Sequence, residues 1–278
     1  MRDILIMVEL TIREARRRRI LWTAFALGLA FIILYAVGFY FIHRDITTNR
    51  NDRNIAFDSG FNFVVMAALY VISFLGVMVA VLMSVGTLAG EIASHTIQTL
   101  ATKPLRRSAL VIGKWLGLFA MLVCYVVLLG VGVLAATWLI SGYVLPNALQ
   151  GLLLIALQAV IMLSVSILGS TRLSTVTNGV LVFMLYGLAF VGGWVEQIGS
   201  FMHNETAVDI GILTSLLIPS EAMWKLASYL MQPPAIRSLG LSPFSLASAP
   251  STTMLVYALI YVVIILLWAV RSFQRRDL

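Results

Sequence analysis

The stretch richest in groups that could act on a partner runs from residue 90 to 114, GEIASHTIQTLATKPLRRSALVIGK. It sets Glu91, His95, Gln98, Lys103, Arg106, Arg107 and Lys114 between two long apolar runs. These are contact groups, with no nucleophile beside a base. A phosphate loop needs G-x-x-x-x-G-K-[ST], and here Gly113-Lys114 is followed by Trp115, so the hydroxyl for the metal is missing. No Ser/His/Asp set, no HExxH and no carboxylate pair inside an apolar run occurs elsewhere. His43, His95 and His203 fall in separate segments, and Cys124 is the only cysteine. Neither a metal-ligand spacing nor an intrachain disulfide follows from them. The reading is a chain without catalytic, cofactor-binding or metal residues of its own.

The spacing within 90–114 predicts a short helix over 91–101. Pro104 ends it, because the residue before a proline is pushed out of the α region. Ile92, Thr96, Thr99 and Leu100 lie close to one face, while Glu91, His95 and Gln98 offer polar contacts elsewhere. Lys103, Arg106 and Arg107 then anchor the return to a bilayer at headgroup level, with Lys114 at the edge. A basic loop that only fixes orientation would carry similar charges. The residues alone leave both readings open.

The elements that hold this stretch come from the composition. Of the 278 residues, 60% are hydrophobic and 11% charged. Globular chains are about half apolar and about a quarter charged, so lipid is the solvent for most of this one. Six charge-poor runs are candidate spans: 20–42, 63–89, 110–140, 148–169, 179–195 and 253–270. They lack alternating polarity, which excludes barrel strands. The fold class is an all-α polytopic membrane protein of six transmembrane helices. With six spans, both termini share a side with 90–114, Arg172 and the tail Arg271, Arg275 and Arg276. Most of the nineteen basic residues then lie on that side, which the positive-inside rule makes cytoplasmic. The net charge of +7 reflects topology, and no nucleic-acid partner is implied.

Residues 1–19 read as an amphipathic interfacial helix, and 20–278 as the six-helix membrane domain. Leu5, Val8, Ile12 and Ala15 recur at helical spacing to meet lipid, and Arg13, Arg16 and Arg17 sit at the membrane interface. Span two carries Gly76, Ala80 and Ser84 at four-residue steps, a pattern for close packing between two copies or, the favoured reading, within one subunit. Segment 197–252 holds short apolar pieces interrupted by Pro233-Pro234, Pro243 and Pro250, and reads as external or re-entrant helices. Ser220 is a plausible cap for the second of these.

The pattern G-E-x(4)-T-I-Q-T-L-x(2)-K-P-x-R-R-x(5)-G-K resembles the loop between spans two and three of ABC-2-type permeases. Matching positions are Glu91, Thr96, Ile97, Gln98, Leu100, Lys103, Pro104, Arg106, Gly113 and Lys114. The six spans, basic N-terminal helix, long segment before the last span and Arg-rich tail extend the resemblance over the chain. Ile218–Leu230 further resembles a segment in the branch containing the permease of the nitrous-oxide-reductase maturation system. The resemblance implies a type V-like exporter architecture, a prokaryotic cytoplasmic-membrane location and a second permease copy. It also implies a separate nucleotide-binding subunit that holds ATP and magnesium and docks on a coupling helix within 90–109. Glu91, His95, Thr96, Ile97, Gln98, Thr99, Leu100, Lys103 and Pro104 would meet that subunit. Spans one and five would face the translocation path, which makes Trp22, Phe25, Phe183, Tyr186 and Phe190 candidate substrate contacts. Two other functions stay open: force transmission to an extracytoplasmic accessory protein at 197–252, and ion-driven transport. The second needs buried ionisable groups near the midplane, which the runs do not display.

Overall fold

The computed structural model describes residues 2–17, 19–49, 55–90, 106–234, 237 and 251–276, and no strand occurs among them. In chain order the helices are α1 (Arg2–Arg17), α2 (Arg19–Asn49), α3 (Ile55–Ser84), α4 (Arg107–Ser141), α5 (Ala148–Ser170), α6 (Thr175–Phe201), α7 (Glu205–Leu217), α8 (Ser220–Met231) and α9 (Thr252–Gln274). Six of them, α2 to α6 and α9, are long and apolar enough to cross a membrane. They are the six runs expected from the sequence. A helix satisfies its own backbone, which hydrocarbon demands.

The bundle is built around α5. It carries no charged residue, and 83% of its apolar window is buried, against 17% for α2 and 22% for α9. It packs against α3, α4, α8 and α9. Small residues set the approach of α3. A Cβ at Gly76 would lie 3.0 Å from Val126 on α4 and 3.6 Å from Ala159 on α5. The glycine–alanine stripe therefore serves packing inside the subunit. The peripheral α2 rests on α4 and α3, and its Tyr35 hydroxyl meets Thr137 Oγ1 at 2.6 Å. Since Thr137 gives its proton to the Val133 carbonyl at 2.9 Å, Tyr35 is the donor in that pair.

The bounds of α3 and α6 differ from expectation for local reasons. Helix α3 ends at Ser84 instead of running to residue 89, because Ser84 Oγ bonds the Ala80 carbonyl at 2.6 Å and Thr87 Oγ1 bonds the Met83 carbonyl at 2.8 Å. Such side-chain bonds compete with the helical ladder. Helix α6 runs beyond 179–195 in both directions. Ser174 caps it by accepting from Thr177 N–H, and the polar residues at its ends have partners inside the protein. Asn178 is one of these. It is fully buried and its Nδ2 donates to the Ser166 carbonyl at 2.9 Å and the Val85 carbonyl at 3.4 Å. One amide thus joins α6, α5 and the turn after α3.

At the opposite end, Asn62 Nδ2 donates to the Met231 carbonyl at 3.3 Å and Asn147 Nδ2 to the Leu230 carbonyl at 3.0 Å. These are last-turn carbonyls of α8, which lack helical partners. Helices α7 and α8 meet at 109° around Ile218 and Pro219. Pro219 occupies the cap position expected for Ser220, which is instead the first helical residue. Helix α7 lies along α6 and α8 along α5.

Asn178→Ala removes the three-way tie. We expect a loss of about 1–2 kcal/mol, read as a lowered unfolding midpoint of the purified chain in detergent. A midpoint equal to that of the native chain contradicts the role assigned to this amide.

Candidate functional site

Glu91, His95, Thr96, Ile97, Gln98, Thr99, Leu100, Lys103 and Pro104 all lie outside the described residues. Both flanks of that segment are described, and they are tied to each other. Val85 to Gly90 form a turn and a short helical end, with Gly90 N–H on the Gly86 carbonyl at 3.0 Å. Arg106 is extended and exposed, and α4 follows. Two turns into α4, Lys114 is 2% exposed, and its Nζ donates to the Thr87 carbonyl at 3.0 Å. This corrects the expectation of Lys114 as an interfacial anchor. The cause is the turn after α3, which sets the Thr87 carbonyl where a buried ammonium can use it. A hydrogen bond to a charged donor in a low-dielectric interior is stronger than a neutral one.

The same part of α4 receives α1. A Cβ at Gly113 would fall 2.4 Å from Met7 Cβ, and one at Gly117 would fall 2.8 Å from Thr11 Cβ. The glycines sit four apart, one helical turn, and let the two backbones approach closely. Met7, Thr11 and Ala15 are buried, while Leu5 is 68% exposed. The face of α1 that meets protein is thus Met7–Thr11–Ala15, and Leu5, Ile6 and Leu10 are left for lipid. Arg13 pairs with Glu9 one turn away, both exposed, and Arg16 and Arg17 are exposed. Arg107 closes the basic end. Its Nη1 donates to the Gln274 and Arg276 carbonyls at 3.2 and 2.8 Å, at the end of α9.

The five candidate path residues fall into two groups. Trp22 is 64% exposed and donates to the Arg16 carbonyl at 3.0 Å. Phe25 rests edge-on against Tyr125 of α4, centroids 5.4 Å apart. On α6, Phe183 and Phe190 are half-buried, and Phe190 neighbours Trp194 at 6.3 Å. Tyr186 is buried beside Phe74 of α3 and belongs to the core of this subunit. Helix α2 packs on α4 and α3, and α6 on α7 and α5, so one subunit does not bring the two groups into a common lining. Both helices instead turn apolar side chains outward, among them Leu34 and Val37 on α2 and Met184 and Val191 on α6.

The structure also holds a charged group inside the bundle that the apolar runs did not disclose. Lys225 of α8 donates to Glu196 Oε2 of α6 at 2.8 Å, with side chains 5% and 15% exposed. Glu221, one turn before Lys225, is 4% exposed. Gly193 makes room for it, since a Cβ there would lie 2.5 Å from Glu221 Cγ. Residues 221 and 225 fall in the segment read from sequence as external or re-entrant helices, and the α7–α8 hairpin lays α8 against α5 and α6. The close fit of α7 on α6 depends on Gly192, where a Cβ would meet Thr214 Oγ1 at 1.9 Å, and on Gly211, which faces Glu196. The glycines at 192, 193, 199 and 211 were the available signal. Among the described residues, no three His, Cys, Asp or Glu side chains group as a metal site.

Removing one partner of a buried pair strands the other, whereas removing both is far milder. We expect Lys225→Met to cost about 3–5 kcal/mol and the double change with Glu196→Leu to recover most of it. Chemical unfolding of the three proteins in detergent checks this. Equal losses in the single and double variants contradict it.

Residues 6–278 match the family model described as ABC-2 family transporter protein, and the chain belongs to that family. It is a membrane-embedded permease subunit of the ABC class, a family whose members carry no ATPase of their own. No curated protein matches the sequence.

Proposed function

We propose, on the premise of that membership, that this permease subunit is driven by a separate ATP-hydrolysing subunit docked on residues 91–105. The observation that carries the reading is the bond from Lys114 Nζ to the Thr87 carbonyl. The two residues bracket the docking segment, so a push on it reaches α3 and α4 together. Through Gly113 and Gly117 the same push reaches α1. The three helices form one lever on the basic side, which we read as cytoplasmic from the placement of Lys and Arg.

Work requires that the ATP-bound partner favour one permease state over the other. Magnesium and ATP are held by that partner, and this chain supplies Glu91, Thr96, Gln98 and Lys103 as contacts. A second permease copy covers the outward apolar faces of α2 and α6, and the path runs between the copies past Trp22, Phe25, Phe183 and Phe190. The direction is export across the cytoplasmic membrane of a prokaryote. The match is to the family as a whole and singles out neither the nitrous-oxide branch nor an extracytoplasmic accessory partner.

Two variants test the lever. Glu91→Lys alters docking, and Lys114→Met leaves docking intact while cutting the tie to Thr87. Both insert into the membrane normally, and both lose transport and stimulation of the partner's ATPase, by roughly tenfold or more, since 1.4 kcal/mol of lost coupling is already a factor of ten. Lys114→Met retains the partner on co-purification. Native transport and ATPase stimulation in both variants sink the proposal.

A further inference from the structure

A cavity of about 450 Å³ opens at the basic end between the turn after α5 and the last turns of α9. Arg172, Arg271 and Arg275 line it together with Thr171, Leu168 and Trp268. No carboxylate among the described residues does so. Arg172 is held in place, its Nε on Ser272 Oγ at 2.9 Å, with Ser272 also 3.0 Å from Thr171 Oγ1. That bond uses one edge of the guanidinium and leaves its terminal amines available for an anion. Arg271 and Arg275 stand one helical turn apart, a spacing at which like charges destabilise a helix. The end of α9 favours cations through its dipole. That does not account for Arg172, which reaches the same cavity from another element.

The cavity is also amphipathic. Trp268 lies one turn further into the apolar part of α9, is 60% exposed and lines the cavity with Leu168 and Leu173. On α9 it shares a face with Arg271 and Arg275, and tryptophan one turn inside the arginines suits the level where acyl chains meet headgroups. A soluble anion would use the arginines and leave the apolar lining unused. A phospholipid uses both.

We propose that this cavity binds the phosphodiester headgroup of an anionic phospholipid from the leaflet at the basic end. Two guanidinium groups and the locked third match phosphate oxygens, which arginine can bind in a bidentate manner. Basic pockets between helices on that side are suited to such headgroups. The lipid is a resident ligand that neutralises the arginines and braces α9 against the α5–α6 turn. The inference does not depend on the ATPase partner, and its test needs none.

The full chain, purified in detergent, is titrated with phosphatidylglycerol, phosphatidylcholine or inorganic phosphate, and bound species are counted by native mass spectrometry. Phosphatidylglycerol binds tighter than phosphatidylcholine by roughly tenfold or more, because each arginine near a headgroup contributes. R271Q/R275Q abolishes that preference. R16Q/R17Q, which removes the same charge from α1, keeps it. R271K/R275K keeps part of it, which separates lost charge from lost fold. Equal binding of the two lipids, an unchanged preference in R271Q/R275Q, or inorganic phosphate binding as tightly as phosphatidylglycerol would overturn the proposal.

Discussion

Hydrocarbon offers no hydrogen bonds, and the structure follows from how each polar group answers that constraint. The backbone answers with helices. The side chains answer with bonds that cross from one helix to another and so decide which helices move together. Asn178 joins α6 to α5 and to the turn after α3. Tyr35 holds α2 to α4, and Lys114 holds α4 to that same turn. Between these ties the contacts are apolar and depend on fit, with α5 as the buried axle.

The ties are unevenly distributed, and this divides the molecule by task. At the basic end they gather α3, α4 and the end of α9 around the segment that we assign to the ATPase subunit, and α1 joins them by close packing on Gly113 and Gly117. At the far end they fix the α7–α8 hairpin through the carbonyls of Leu230 and Met231. The pair of Lys225 and Glu196 holds α8 to α6. A displacement at the basic end therefore has a continuous packed route through α4 and α5 to the hairpin. The outward faces of α2 and α6 carry exposed apolar side chains that can meet lipid or a second copy.

Much of this was legible in the sequence, because a charge-free run of about twenty residues has few alternatives. The six spans, the amphipathic α1 and the short interrupted helices before the last span followed from pattern. What escaped was decided by partners in space. Helix α6 extends through Asn178 and Glu196 because distant residues satisfy them. Lys114 looked interfacial and is buried, since no local pattern announces the Thr87 carbonyl. Tyr186 looked outward and is core, and Met7 and Thr11 form the packed face of α1 because glycines on α4 admit them. The role of Gly113 and Gly117 depended on which helix lay opposite.

The central claim is that residues 91–105 receive an ATPase subunit. The direct measurement is site-specific crosslinking in intact membranes from a cysteine placed at Thr96, with Cys124 changed to serine, followed by affinity purification and mass spectrometry. The account predicts one crosslinked protein in stoichiometric yield, an ATPase carrying a phosphate loop, with the adduct changing when ATP is hydrolysed. Recovery of the chain with no ATPase, both after crosslinking from Thr96 and in mild detergent, contradicts it. Energy would then have to come from ions, and the buried Glu221 and Lys225 would become the residues to follow.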